Sequence, residues 1–199
     1  MSGHFLTKKR LFLLVLTVIA LVVLGYVTWS AAQVELPPEF TVGRERAAVL
    51  SGRIVEITAA VNERIKEANQ NDLGGNPEVA RALLQEARDR NYEAYRKAME
   101  LADELEAVAA SLEDIRPGES QRLAYQAVSL ELMLVQEYLA YTDSLNQFLD
   151  TLTRALGITE PTTRRAIDEA IAEVNQRGGT INRMNQLFVE KLQELDQSL

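Results

Sequence analysis

From about position 38 onward, apolar residues recur at alternating steps of three and four, and no stretch alternates every second residue. Steps of three and four put side chains on one face of an α-helix, whereas a period of two marks a strand. Four stripes follow from this rule. The first, over about 38–70, carries Leu50, Ile54, Ile57, Val61, Ile65 and Ala68. The second, over about 77–112, carries Ala80, Leu84, Ala87, Asn91, Ala94, Ala98, Leu101, Leu105, Val108 and Leu112. The third, over about 119–156, carries Ala127, Leu130, Leu134, Tyr138, Tyr141, Leu145, Phe148 and Leu152, and Leu132, Val135, Leu139 and Leu149 widen it. The fourth, over about 161–198, carries Ile167, Ile171, Val174, Gly178, Ile181, Asn185, Phe188, Leu192 and Leu195.

A seven-residue repeat held this long keeps each stripe facing a partner helix. Connections of about four to seven residues force successive helices to run antiparallel. The predicted fold is therefore all-α: an antiparallel up-down-up-down four-helix bundle with coiled-coil-like packing over residues 38–199. The third helix, the most apolar, is expected to touch more than one neighbour.

Turn residues fall where the periodicity stops. Pro38 suits a first helical turn, and Gly74-Gly75-Asn76-Pro77 supplies a turn, a cap residue and another first-turn proline. Pro117-Gly118 separates the second helix from the third, Gly157 stands where a left-handed cap belongs, and Pro161 opens the fourth. Gly178-Gly179 predicts a kink or break in the fourth helix, since each glycine costs about 1 kcal/mol against alanine there, with close approach of another helix next and a hinge last. Glu86–Arg90, Glu93–Lys97, Asp150–Arg154 and Glu173–Arg177 place an acid four residues before a base, so local pairing on exposed helix faces is expected.

Ahead of the stripes, residues 11–29 read LFLLVLTVIALVVLGYVTW, without a charge. As a helix this run is about 28 Å long, close to the thickness of a bilayer's hydrocarbon core. It predicts a single transmembrane helix, followed by a linker over 30–37. Tyr26 and Trp29 stand at one end, where amphipathic rings favour the interface, and Lys8, Lys9 and Arg10 in the tail 1–10 mark the other end as cytoplasmic. The expected location is the cell inner membrane, single-pass, with the C-terminal domain periplasmic or extracellular. The alternative is a cleaved signal peptide: Ser30-Ala31-Ala32 has the small residues that cleavage after Ala32 needs, and the bundle would then be secreted. Retention is the expectation, because the apolar run exceeds a signal peptide's usual length. The sequence has no Asn-x-Ser/Thr sequon, which fits a bacterial chain.

Charge and composition narrow the chemistry. All 29 acidic residues lie beyond position 30, against 18 of the 21 basic ones, a net charge of −11 after the apolar run. Such a domain repels nucleic acid, so no nucleic-acid partner is expected. Cysteine is absent and the one histidine is His4, ahead of the apolar run. Thiolate sites, thioether-linked haem and the Glu-x-x-His pairs of di-iron bundles therefore have no ligands in the domain. No serine has a histidine to activate it, and Gly74-Gly75 is not followed by the Lys-Ser/Thr of a phosphate loop. Asn71-Asp72 is the one loop position that offers a hard cation oxygen ligands beside glycine carbonyls. The expectation is a non-enzymatic protein with no cofactor and no metal.

Two groups of residues remain as candidates. Asn91 and Asn185 interrupt apolar stripes, where a lone polar residue commonly fixes helix register. Tyr92, Tyr95, Tyr138 and Tyr141, with Tyr125, make the second and third helices tyrosine-rich, a face suited to core packing or to a ligand or protein contact. The expected partners are membrane lipid, through the N-terminal helix, and another protein or further copies of the chain. Nothing in the sequence singles out a small-molecule ligand. The expected role is an interaction, scaffold or accessory subunit of a bacterial envelope complex. The layout of basic tail, single span and outer four-helix bundle also resembles, in architecture, the sensory half of bacterial chemoreceptors. That resemblance implies ligand sensing with the output passed through a partner.

Overall fold

The computed structural model describes residues 37–115, 118–158 and 160–198. Four long helices fill it: α1 (Pro38–Leu73), α2 (Pro77–Ser111), α3 (Gly118–Ala155) and α4 (Pro161–Ser198), with a 3₁₀ turn over Leu112–Asp114 after α2. Among the described residues there is no strand. The helices contain 36, 35, 38 and 38 residues, so each is about 53–57 Å long at 1.5 Å per residue. Lys8, Lys9, Arg10, Tyr26, Trp29 and the apolar run between them lie outside the described residues. Among those described, no helix is long and apolar enough to cross a membrane.

Contacts between helix ends set the directions. At one end, Phe40 near the start of α1 packs in a cluster with Val108 of α2, Leu123 of α3 and Leu195 of α4. There Arg44 also bonds Asp196 at 3.4 Å, and the Ser120 hydroxyl donates to the Ser198 carbonyl at 3.0 Å. At the other end the Gly157 amide donates to the Asp72 carboxylate at 3.3 Å, which ties the two loops together. Successive helices therefore run in opposite directions.

The stripes are the core. Every residue on the second and fourth stripes is buried, as are Ile54, Ile57, Val61, Ile65 and Ala68 on the first. Leu50, Leu130 and Leu152 pack at its margin. Alanine dominates the inner face of α2, with Ala80, Ala87, Ala94 and Ala98 all fully buried, so α1 and α2 can approach closely. Gly43 makes the approach possible near the α1 start: a Cβ there would lie 2.5 Å from Val108 Cγ2. The third helix packs against both α2 and α4, and Val135 and Leu149 extend its buried face. The backbones of α1 and α4, by contrast, scarcely come within 8 Å of one another, leaving that seam to side chains.

Three local expectations are corrected. The fourth helix runs unbroken through Gly178-Gly179, because Gly178 is buried in the stripe and packing holds the backbone helical. Asn76 does precede α2, but its side chain makes no capping hydrogen bond. Of the four local ion pairs, Glu173–Arg177 forms, at 3.5 Å, while the other acids turn to different partners. Glu86 pairs with Arg64 at 2.9 Å, Glu93 with Arg53 at 3.7 Å, and Asp150 with Arg88. Antiparallel neighbours bring a base across the groove closer to these carboxylates than the one a turn away. Gly157, in contrast, adopts the left-handed cap with φ of 73°, and Gly75 turns the α1–α2 loop with φ of 79°.

Candidate functional site

The seam between α1 and α4 opens inward onto two adjoining voids. The first, of about 60 Å³, is walled by Phe40, Arg44 and Ala47 of α1, Leu105 and Val108 of α2, Ala124 and Val128 of α3, and Leu195 of α4. The second, of about 40 Å³, is walled by Ile54, Ala98, Leu101, Leu134, Val135 and Tyr138. Ser51, Glu131 and Phe188 border both. The sequence accounts for the gap. Ala47, Ala48 and Ser51 on α1 face Ala124 and Ala127 on α3, and short side chains cannot fill the space between helices that stand apart.

Glu131 is the feature that periodicity missed. It lies on the flank of the α3 stripe, between Leu130 and Leu132, and it closes no hydrogen bond or ion pair among the described residues. Burial raises its pKa from 4.5 to about 7, and the charge of Arg44, acting through space, pulls the other way. A signal for it was present: Glu131 is the only charged residue between Arg122 and Glu137. A lone carboxylate in an apolar helix run either faces solvent or needs an internal reason.

The tyrosines divide into two environments. Tyr138 and Tyr141 are buried in the core, 3% and 1% exposed, with ring centroids 5.8 Å apart and planes at 31°. Tyr138 donates to the Thr58 hydroxyl at 2.6 Å, because Thr58 already gives its own proton to the Ile54 carbonyl at 2.8 Å. Burial moves both phenols upward from their ordinary pKa, so both stay neutral. Tyr92 and Tyr125 are exposed and Tyr95 is half-buried, so α2 contributes no tyrosine to the buried pair.

Asn91 and Asn185 are both buried. The Asn91 amide donates to the Thr142 carbonyl at 2.8 Å, joining α2 to α3. The Thr142 hydroxyl bonds back to Leu139, so this carbonyl's own turn is tightened at the same place. One turn nearer the seam with α4, Arg177 donates to the Ser144 hydroxyl at 2.7 Å and reaches Glu137 at 3.5 Å, while Ser144 donates to Glu173 at 2.9 Å. These polar groups lie near the middle of the bundle and connect one helix to the next. Asn62 of α1, also buried, has no hydrogen-bond partner for either side-chain atom among the described residues.

At the distal loops, the Asp72 carboxylate accepts the Gly157 amide, and Asn71 donates to the Glu67 carbonyl at 2.9 Å. Asp72, in the last turn of α1, thus uses a carboxylate oxygen to join α1 to the α3–α4 turn, while the Asn71 amide bonds within α1. Among the described residues, no three His, Cys, Asp or Glu side chains are grouped so as to hold a metal ion.

No known protein family matches the chain, and neither does any curated protein or solved structure.

Proposed function

We propose that this chain is a non-enzymatic interaction or scaffold subunit of a bacterial envelope complex, held at the inner membrane by its N-terminal helix, with the bundle outside. The observation that supports this most is the use of buried and half-buried polar side chains at the helix interfaces. Asn91, Tyr138, Ser144 and Arg177 bond across helix interfaces, as expected of a bundle selected for one rigid register. Only the eight residues 30–37 separate the apolar run from the bundle, a span of at most about 28 Å fully extended. A retained anchor would therefore keep the Phe40 end close to the membrane and leave the Asp72–Gly157 end as the far one.

The groove between α3 and α4 suits a protein contact. Tyr125 and Met133 are exposed there, 40% and 54%, beside Leu130, Arg122 and Lys191. Lysine occurs three times in the bundle, at Lys66, Lys97 and Lys191, on three different helices. Amine cross-linking in native membranes, read by mass spectrometry, is therefore a direct test. The scaffold reading expects reproducible cross-links from Lys191 to one envelope protein or to a second copy. Release of the whole chain into the soluble fraction, with no cross-link, would contradict it.

A second reading, a ligand-sensing bundle that signals through a partner, is favoured by one observation. Glu131 faces two voids at a seam where the helix backbones stand apart.

A further inference from the structure

We infer that the paired voids at the α1–α4 seam form a binding site for a small alkylammonium ion, with Glu131 as its counter-charge. The inference deepens the sensing reading by naming a ligand class, and it requires no signalling.

The argument starts from the carboxyl. Glu131 is half-buried, and a carboxylate set against apolar walls without a hydrogen-bond donor among the described residues is answered by water, a proton or a ligand cation. Glu131 borders both voids, and the rest of the second void is formed by apolar and aromatic side chains apart from Ser51. Tyr138 and Phe188 are the aromatic walls, and aromatic rings lining a pocket favour a cation over a neutral group of equal size.

Anions are disfavoured by Glu131 itself and by the net charge of −11 on the chain beyond the apolar run. The one cation in either wall is Arg44, in the first void, and it is paired with Asp196 at 3.4 Å. An ammonium group is therefore best placed on the second-void side of Glu131, with its hydrocarbon tail in the first. Size limits the tail. A dry cavity of about 150 Å³ admits the six heavy atoms of benzene, and the two voids together fall short of that, so an ammonium with a chain of about three carbons is the upper range.

The test is a titration of n-propylammonium into the full chain in phospholipid nanodiscs, followed by saturation-transfer NMR with empty nanodiscs as the blank. Saturable binding is expected, at least tenfold weaker in Glu131→Gln, and no saturable binding of propionate. Ser51→Leu fills the border of both voids while leaving the carboxyl in place, and it should block the amine equally well. Circular-dichroism melts of each variant establish that it is folded.

Three outcomes would overturn the site: no binding by the wild-type chain, equal affinity in folded Glu131→Gln, or propanol binding as tightly as propylammonium. The last would mark an apolar hole indifferent to charge. A failed sensing reading looks different: the amine binds as expected, but cross-links from Lys191 are the same with and without it.

Discussion

Replacing Glu131 by glutamine should stabilise the bundle, and more so as pH rises. The glutamine side chain has the same shape and cannot ionise, so the change isolates the charge. In the folded protein the carboxyl titrates at about 7 because burial penalises its ionised form, with Arg44 offsetting part of that penalty. In the unfolded chain it titrates near 4.5. Between those values the folded state holds a proton that the unfolded state has released. Stability therefore falls as pH rises from about 4.5, and the full penalty is present above 7. At about 1.4 kcal/mol per pH unit, the gap amounts to about 3 kcal/mol. The difference in stability between Glu131→Gln and wild type should grow by about 2–3 kcal/mol from pH 5 to pH 8. For a domain of this size that is roughly 5–10 °C in melting temperature. Thermal melts of the helical domain, residues 38–199, at both pH values give the answer, and taking variant minus wild type cancels every group the two share. A difference that stays constant with pH, or that shrinks toward pH 8, would refute a desolvated carboxyl at this seam.

Core and surface positions should separate clearly in melts of the same domain. Phe148→Ala, at a fully buried site, should lose about 3–5 kcal/mol and Leu134→Ala about 2–5, whereas Glu86→Gln, on an exposed cross-helix pair, should change stability by less than about 1. Gly43→Ala should destabilise by about 1–3 kcal/mol, because the new methyl meets Val108, while Gly179→Ala, where a Cβ has open space, should stabilise by roughly 0.4–1 kcal/mol; equal effects would show that α1 and α2 are not in close contact there. Asn91→Ala should cost about 1–3 kcal/mol through the lost hydrogen bond to the Thr142 carbonyl and the cavity it leaves, and a neutral result in denaturant titration would remove its role in joining α2 to α3.

Much of the bundle could be read in advance because a heptad is a one-dimensional record of a helix face. Ala80 to Val108 on α2 and Ile167 to Leu195 on α4 are buried as their spacing requires. The beginning of α1 was less legible. Phe40, Gly43 and Ala47 are buried there, but Arg44, Glu45 and Arg46 crowd between them and glycine carries no apolar signal. Ion-pair partners were legible only where the pair is local, as in Glu173–Arg177. Arg64–Glu86 and Arg88–Asp150 depend on how two helices align across a groove, which spacing along one chain does not encode. The tyrosines show the same limit. Composition groups Tyr92 and Tyr95 with Tyr138 and Tyr141, whereas rotation about each helix axis puts only the second pair in the core. The voids beside Glu131 arise from small residues on two helices at once, so no single stripe announces them.

Orientation at the membrane is the claim on which the scaffold reading depends, and protease added to intact spheroplasts tests it most directly. Lys8, Lys9 and Arg10 precede the apolar run, and the bundle follows it. Mass spectrometry of the washed membranes should then recover a protected fragment ending shortly after Trp29, with peptides of α1 to α4 released to the medium. Recovery of an intact bundle that is digested only after the spheroplasts are lysed would contradict the account.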